Sequence, residues 1–110
     1  MRELRERAHR LLLANLRRGR VPAAEGGREF LYICPSPAVY HHQWLWDSCF
    51  HALVMARFDG AIAQAELRTL LSQVQPDGFL PHLTNWIGVG RLPLLSRLAR
   101  WLFGQGHHRR

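Results

Sequence analysis

Lysine is absent from this chain: all fifteen basic residues among its 110 are arginine. A formal charge of +7 ordinarily directs attention to nucleic acid or to an acidic membrane surface. The distribution of that charge argues otherwise. Residues 1–20 hold seven Arg against Glu3 and Glu6, and residues 91–110 hold five Arg and no acid, a net +5 at each end. Between them, residues 21–90 carry Arg28, Arg57 and Arg68 against six acids, a net −3. The stretch where aromatics are densest is therefore acidic. Codon bias explains an all-arginine usage at least as well as a selected binding patch does, and nucleic acid is not the expected partner.

Cysteine is scarce as well. Cys34 and Cys49 share no repeated spacing with anything, and a disulfide scaffold would be denser in cysteine, so both are expected as reduced, partly buried thiols. No apolar run approaches the roughly 18 residues of a membrane span. Leu11-Leu12-Leu13-Ala14 is too short for a secretory apolar region, and Glu3 and Glu6 do not suit a transit peptide. A soluble, cytoplasmic protein without a membrane partner is the expectation. Gly26-Gly27 and Gly88-Val89-Gly90 are too sparse for a phosphate loop. Ser48 and Cys49 follow an Asp but lack the flanking glycines of a nucleophile elbow. Cys34, His41, His42, Cys49, His51 and His82 stand in no recognised ligand spacing, and the adjacent His41 and His42 would point opposite ways in an extended segment. No metal and no cofactor is expected.

What is present reads mostly as helix. Leu4, Ala8, Leu11, Leu12 and Leu16 recur at steps of three and four, predicting a helix over residues 2–18 that Gly19 and Pro22 stop. Phe30-Leu31-Tyr32-Ile33-Cys34 is a short apolar, aromatic run, extended near residues 29–34 and ended by Pro35-Ser36-Pro37. Asp47-Ser48 offers a helix N-cap to residues 49–58, which are apolar nearly all round and therefore predicted to be interior. Asp59-Gly60 breaks that helix. A second helix over residues 61–74 has one apolar stripe (Ile62, Ala65, Leu67, Leu70, Leu71, Val74) and a polar back bearing Glu66, so it should lie outside. The two make an αα-hairpin. Gln75-Pro76-Asp77-Gly78 is a turn. Pro93 could open a last helix over 94–103, and residues 104–110 read as a disordered tail.

Chemistry concentrates in Tyr40-His41-His42-Gln43-Trp44-Leu45-Trp46-Asp47. A sugar site needs this mixture, because an aromatic face packs on the apolar face of a pyranose while a carboxylate accepts hydrogen bonds from adjacent hydroxyls. The same residues also suit a bland role, with the Trp side chains in a core and Asp47 as a helix cap.

At this point a family resemblance enters. Gln43-Trp44-Leu45-Trp46-Asp47-Ser48-Cys49-Phe50-His51-Ala52 closely resembles a stretch of the mannosylglycerate and glucosylglycerate hydrolases, and the wider clan of glycoside hydrolase family 63 is similar there. The resemblance continues through Asp59, Ala65 to Leu71 and Gln75 to His82, covering residues 28 to about 87. It implies an all-α fold, part of an (α/α)6 barrel of inner and outer helix pairs. It also implies inverting hydrolysis of an α-glycosidic bond, with a small sugar or glycoside as substrate. Carried over by position, Tyr40, Trp44, Asp47 and His82 would bind the glycone, Trp44 by stacking and Asp47 by holding hydroxyls.

An inverting glycosidase needs an acid and a base roughly 6.5–9.5 Å apart, and in the family both lie beyond the point where this chain stops. Asp77 suits local bonding in its turn and Glu66 the solvated helix face, so no catalytic residue is assigned. Residues 1–110 are accordingly expected to be one incomplete domain, an N-terminal piece lacking the remainder of its barrel and inactive alone. The alternative is a small Arg-rich module for nucleic acid or acidic partners.

Overall fold

A computed structural model of the chain describes residues 1–86; the helix expected over 94–103 and the tail over 104–110 lie outside the described residues. The first helix, α1 (Arg2–Ala14), closes where the N–H of Asn15 reaches the carbonyls of Leu11 and Leu12. It ends short of Arg18. Leu16–Arg20 instead forms a strand, β1, paired antiparallel with β2 (Glu29–Ile33), with Leu16 opposite Ile33 and Arg20 opposite Glu29. The aromatic and β-branched side chains of Phe30, Tyr32 and Ile33 favour a strand, and a strand needs a pairing partner. That tertiary demand overrides the helical spacing that Leu16 continues. Between the strands, Gly26 and Gly27 take φ of +115° and +64°, conformations glycine adopts without strain.

The αα-hairpin is present. Helix α2 (Leu45–Met55) leads through Asp59 into α3 (Gly60–Leu71). The Asp59 carboxylate caps α3, accepting from the N–H groups of Ala61 and Ile62 at 3.0 and 3.2 Å. The expected cap on α2 is displaced: Trp44 is the N-cap residue, and Asp47 and Ser48 fall inside the helix. The turn at Gln75 to Gly78 is closed by the Gly78 N–H on the Gln75 carbonyl at 2.8 Å. From there the chain returns as β4 (Leu83–Thr84), which pairs antiparallel with β3 (Gln43–Trp44) immediately before α2.

Three helices joined by two small antiparallel sheets make the described residues mixed α/β, which overturns the all-α partial (α/α)6 barrel. Two of the four strands had no expectation at all. β3 and β4 are each two residues long, too short for any alternation to register.

Packing follows the pleat of β2, whose alternate side chains serve two cores. Tyr32 joins Val21, Cys34 and Trp86, with Phe30 against them. Ile33 faces the other way, onto Ala52, Met55 and Ala63, where Leu12, Leu16, Phe58 and Ile62 complete the cluster. The hairpin buries only part of what was expected: of the α3 stripe, Leu70 is buried and Ile62 packs against the core. The inward side of α3 is Ala63, Glu66, Thr69 and Leu70, while Leu67, Leu71 and Val74 are exposed. The apolar α2 is not interior among the described residues, for Trp46, Phe50, Leu53 and Val54 face outward.

The reason for the α3 orientation is hydrogen bonding. The edge of β2 turned away from β1 presents the N–H groups of Leu31 and Ile33, which must find acceptors when covered. Thr69 Oγ1 accepts from Leu31 and Glu66 Oε1 from Ile33, each at 2.9 Å. An apolar stripe would leave both donors unmet. Thr69→Val, nearly isosteric, should therefore destabilise the chain by about 1–2 kcal/mol, read as a lower urea midpoint at unchanged slope. Thr69→Ser should restore most of the loss.

Candidate functional site

The segment entering α2 is held before it reaches the helix. Ser36 and Tyr40 exchange backbone hydrogen bonds of 3.3 and 2.9 Å, and the Tyr32 hydroxyl donates to the His41 carbonyl at 2.7 Å. Tyr40 is thereby fixed at the surface, its ring 5.9 Å from that of Trp44 at an interplanar angle of 75°. Trp44 caps α2, and Asp47 lies half-buried in its first turn. An acid in that turn complements the unpaired N–H groups of the helix end. On the return, the His82 carbonyl accepts from the Leu45 N–H at 2.8 Å, and Leu83 stands opposite Trp44. The backbones carrying Trp44, Asp47 and His82 thus meet at the N-terminal end of α2, with Tyr40 against the Trp44 ring. The His82 side chain is exposed. Among the described residues, the Asp47 carboxylate makes no hydrogen bond, and the buried Trp44 Nε1 has no partner.

Behind this rim lies a polar network that sequence reasoning missed. Trp86 Nε1 donates to Gln43 Oε1 at 2.8 Å, Gln43 Nε2 to Ser48 Oγ at 3.1 Å, and Ser48 Oγ to Glu66 Oε1 at 2.9 Å. Gln43, Ser48 and Glu66 are all buried, Glu66 completely. The solvated outer face expected for Glu66 is wrong. Its second oxygen, Oε2, is buried with no partner among the described residues. A signal existed in the spacing: Ala63, Glu66 and Leu70 lie three and four apart on one face, but the larger aliphatic stripe obscured it.

Burial sets the protonation of this network. Loss of water pushes the Glu66 carboxyl up to about 7, only partly offset by its bonds from Ile33 and Ser48. His51, whose Nδ1 is 2.8 Å from the Ile33 carbonyl and 3.9 Å from Glu66 Oε1, is pushed down by burial, against the pull of that carbonyl and of the Asp47 charge. Neutral acid beside neutral imidazole is the arrangement burial favours. Tyr32 and Cys34 are likewise shifted upward by burial.

Other candidates resolve plainly. The His41 and His42 rings do not diverge but lie 4.2 Å apart. Among the described residues no three His, Cys, Asp or Glu side chains gather where a metal could bind, and no helix is long and apolar enough to cross a membrane. Cys34 is buried and Cys49 exposed, both as free thiols. A separate groove of about 770 Å³ opens between the β1–β2 hairpin and α3, lined by Arg18, Arg20, Arg28, Arg68 and, as its one acid, Glu29.

The chain belongs to the family described as the mannosylglycerate hydrolase MGH1-like glycoside hydrolase domain, which matches residues 40–107. That is the family the motifs around Trp44 and Pro76 resemble. A mannosylglycerate hydrolase of Thermus thermophilus is 43% identical over 53 residues, 47% of this chain and 13% of that protein. A glucosylglycerate hydrolase of Mycolicibacterium hassiacum is 39% identical over 65 residues, 58% of this chain and 15% of that protein. A mannosylglycerate hydrolase of Rubrobacter radiotolerans is 40% identical over 52 residues, 47% of this chain and 12% of that protein. The chain thus spans less than a sixth of the length of these relatives. No solved structure matches it.

The buried pair makes stability depend on pH in opposed ways. A carboxyl raised from 4.5 to about 7 contributes stability that is fully present below 4.5 and lost as pH rises through about 7. A lowered imidazole acts in reverse, its contribution being lost as pH falls below 6.5. Glu66→Gln keeps an acceptor for Ile33 and Ser48 but cannot ionise. Between about pH 5 and about pH 8 the wild type should therefore lose on the order of 3 kcal/mol relative to Glu66→Gln, measured by urea unfolding at each pH.

Proposed function

Taking membership of that family as the premise, we propose that this chain is one incomplete domain of a glycoside hydrolase and carries part of its glycone-binding site. Tyr40, Trp44, Asp47 and His82 are the binding residues in this reading. The observation that carries it is the convergence at the head of α2. Trp44 caps the helix, Asp47 stands in its first turn and the His82 carbonyl is bonded to Leu45. The carboxylates of the family-matched stretch support it by elimination. Asp59 caps α3, Asp77 accepts from the Phe79 N–H at 3.0 Å, and Glu66 is buried in the network. Asp47 alone of the four is uncommitted to a hydrogen bond among the described residues. It would accept hydrogen bonds from two sugar hydroxyls, with an aromatic face alongside to cover the apolar side of the ring.

The whole protein would hydrolyse an α-glycosidic bond with inversion, on glucosylglycerate, mannosylglycerate or a related α-glucoside, in the cytoplasm and without cofactor. No second carboxylate shares the rim with Asp47, so the acid–base pair that inversion requires would be completed by residues outside this chain. The isolated chain should consequently bind but not hydrolyse. Titrating it with either glycoside should move the Trp44 indole resonance, and Asp47→Asn should weaken that binding about tenfold or more, the worth of a charge-assisted hydrogen bond. Turnover that survives in the wild type and disappears in Asp47→Asn would refute the division of labour.

One observation favours a second reading, a module for nucleic acid or an acidic partner. The groove beside α3 gathers Arg18, Arg20, Arg28 and Arg68. Three of the four are already engaged, Arg20 with Glu29, Arg28 with the Ser72 carbonyl and Arg68 with Gln64, which is why it ranks second. Electrophoretic mobility shift at varied salt separates the readings. A phosphate-binding groove gives a steep salt slope that Arg18→Ala and Arg68→Ala each reduce by about one, whereas the sugar-site reading expects no shift at physiological salt.

A further inference from the structure

Glu66 on α3 is wholly buried, touches both β2 and α2, and lies in neither the sugar rim nor the arginine groove. On one side its Oε1 receives the Ile33 N–H at the edge of β2; on the other it receives the Ser48 hydroxyl from the second turn of α2. Ser48 has one proton to give. Having given it to Glu66, it can only accept at its lone pairs, and it does so from Gln43 Nε2. That fixes the amide of Gln43 with its oxygen outward, where it accepts from the Trp86 indole. The donor direction from Trp86 to Gln43 to Ser48 to Glu66 is thus single-valued: reversing any amide or hydroxyl would set two donors or two acceptors face to face.

Gln43 and Ser48 bracket the residues assigned to sugar. Gln43 precedes Trp44 on β3, and Ser48 follows Asp47 on α2. We propose that Glu66 is a positioning residue which, through Ser48 and Gln43, orients β3 and the first turn of α2, and with them Trp44 and Asp47. Its relevance to substrate rests on the sugar-site reading; the relay itself does not. The carboxyl works in its neutral form, with Oε1 free to accept twice. Among the described residues its ionisable neighbours come from α2: His51 at 3.9 Å, whose Nδ1 serves the Ile33 carbonyl, and Asp47 acting on His51. From β2 it meets a backbone N–H, and the partners beyond Ser48 are the neutral Gln43 and Trp86. A change of charge at Glu66 is therefore felt at both ends of the relay, at the Ile33 amide directly and at the Trp86 indole through two side chains.

The test is nuclear magnetic resonance on the full nitrogen-15-labelled chain, following the Ile33 amide and the Trp86 indole from about pH 5 to about pH 9. In the wild type both signals should move with one midpoint at about 7. In Glu66→Gln neither should titrate, and both should rest near their acid-side wild-type positions. Ser48→Ala is the decisive variant: the Ile33 amide should continue to titrate while the Trp86 indole falls silent. A Trp86 indole that still titrates in Ser48→Ala, or that ignores pH in the wild type, overturns the relay. Glucosylglycerate supplies the second arm. Ser48→Ala should weaken its effect on the Trp44 indole about fivefold, as one lost neutral hydrogen bond would, while Glu66→Gln at mildly acidic pH leaves it unchanged. If the wild type binds no glycoside at all, the sugar-site reading fails, and the Ile33 and Trp86 comparison still decides the relay.

Discussion

Two backbone N–H groups on the outer edge of β2 govern how this chain is put together. A strand paired on one side only must either show its other edge to water or find acceptors for it. Here α3 supplies them, Thr69 to Leu31 and Glu66 to Ile33. The choice of those residues turns the helix so that a polar face lies inward and Leu67 and Leu71 outward. It also brings a carboxyl where no water follows. One unsatisfied requirement of a five-residue strand thus determines the roll of a twelve-residue helix and the chemistry of the space beneath it.

The placement of α2 follows from the same contact. Once Glu66 is buried, a single hydrogen bond to Ile33 leaves it short of partners, and Ser48 is recruited from α2. Ser48 recruits Gln43, and Gln43 recruits Trp86, so the short β3–β4 pair is tied down by side chains as well as by its ladder. Two-residue strands have little stability of their own. The rim bearing Trp44 and Asp47 is accordingly stiffened from behind by groups that do not reach it, which in the proposed reading separates residues that contact a ligand from residues that hold them.

How much of this was legible depends on the range of the interaction concerned. The αα-hairpin was readable because Asp59-Gly60 interrupts two helical periods locally, and the turn at Gln75 to Gly78 because Pro and Gly carry their backbone preferences with them. The extended run at residues 29–34 announced itself through aromatic and β-branched side chains. Leu16 to Arg20 did not, since its strand character comes only from pairing with β2, whose partners run from Glu29 opposite Arg20 to Ile33 opposite Leu16. The all-α expectation failed there, and again at β3 and β4, whose pairing joins residues about forty apart. In the candidate site, Tyr40, Trp44 and Asp47 stood out because they sit in a dense run of unusual types, but their assignment to sugar, and that of His82, came from the family resemblance. Glu66 was not, because a buried carboxyl and a solvated one look alike in sequence until the strand edge that needs it is known.

The same distinction separates the roles of the four carboxylates in the family-matched stretch. Asp59 and Asp77 answer local backbone donors within three residues, work that short acidic side chains do wherever a helix begins or a turn tightens. Glu66 answers a distant donor and gives up its water to do so. Asp47 answers none among the described residues. It stands in the first turn of α2, at a helix end whose unpaired N–H groups favour negative charge. A carboxylate that the described residues position without bonding keeps its hydrogen-bonding capacity for another partner. In the proposed reading that partner is a pair of hydroxyls on a sugar ring, with Trp44 and Tyr40 offering the apolar surface the same ring requires. The structural commitments of the other three acids are therefore what make Asp47 the residue on which the sugar-site reading depends.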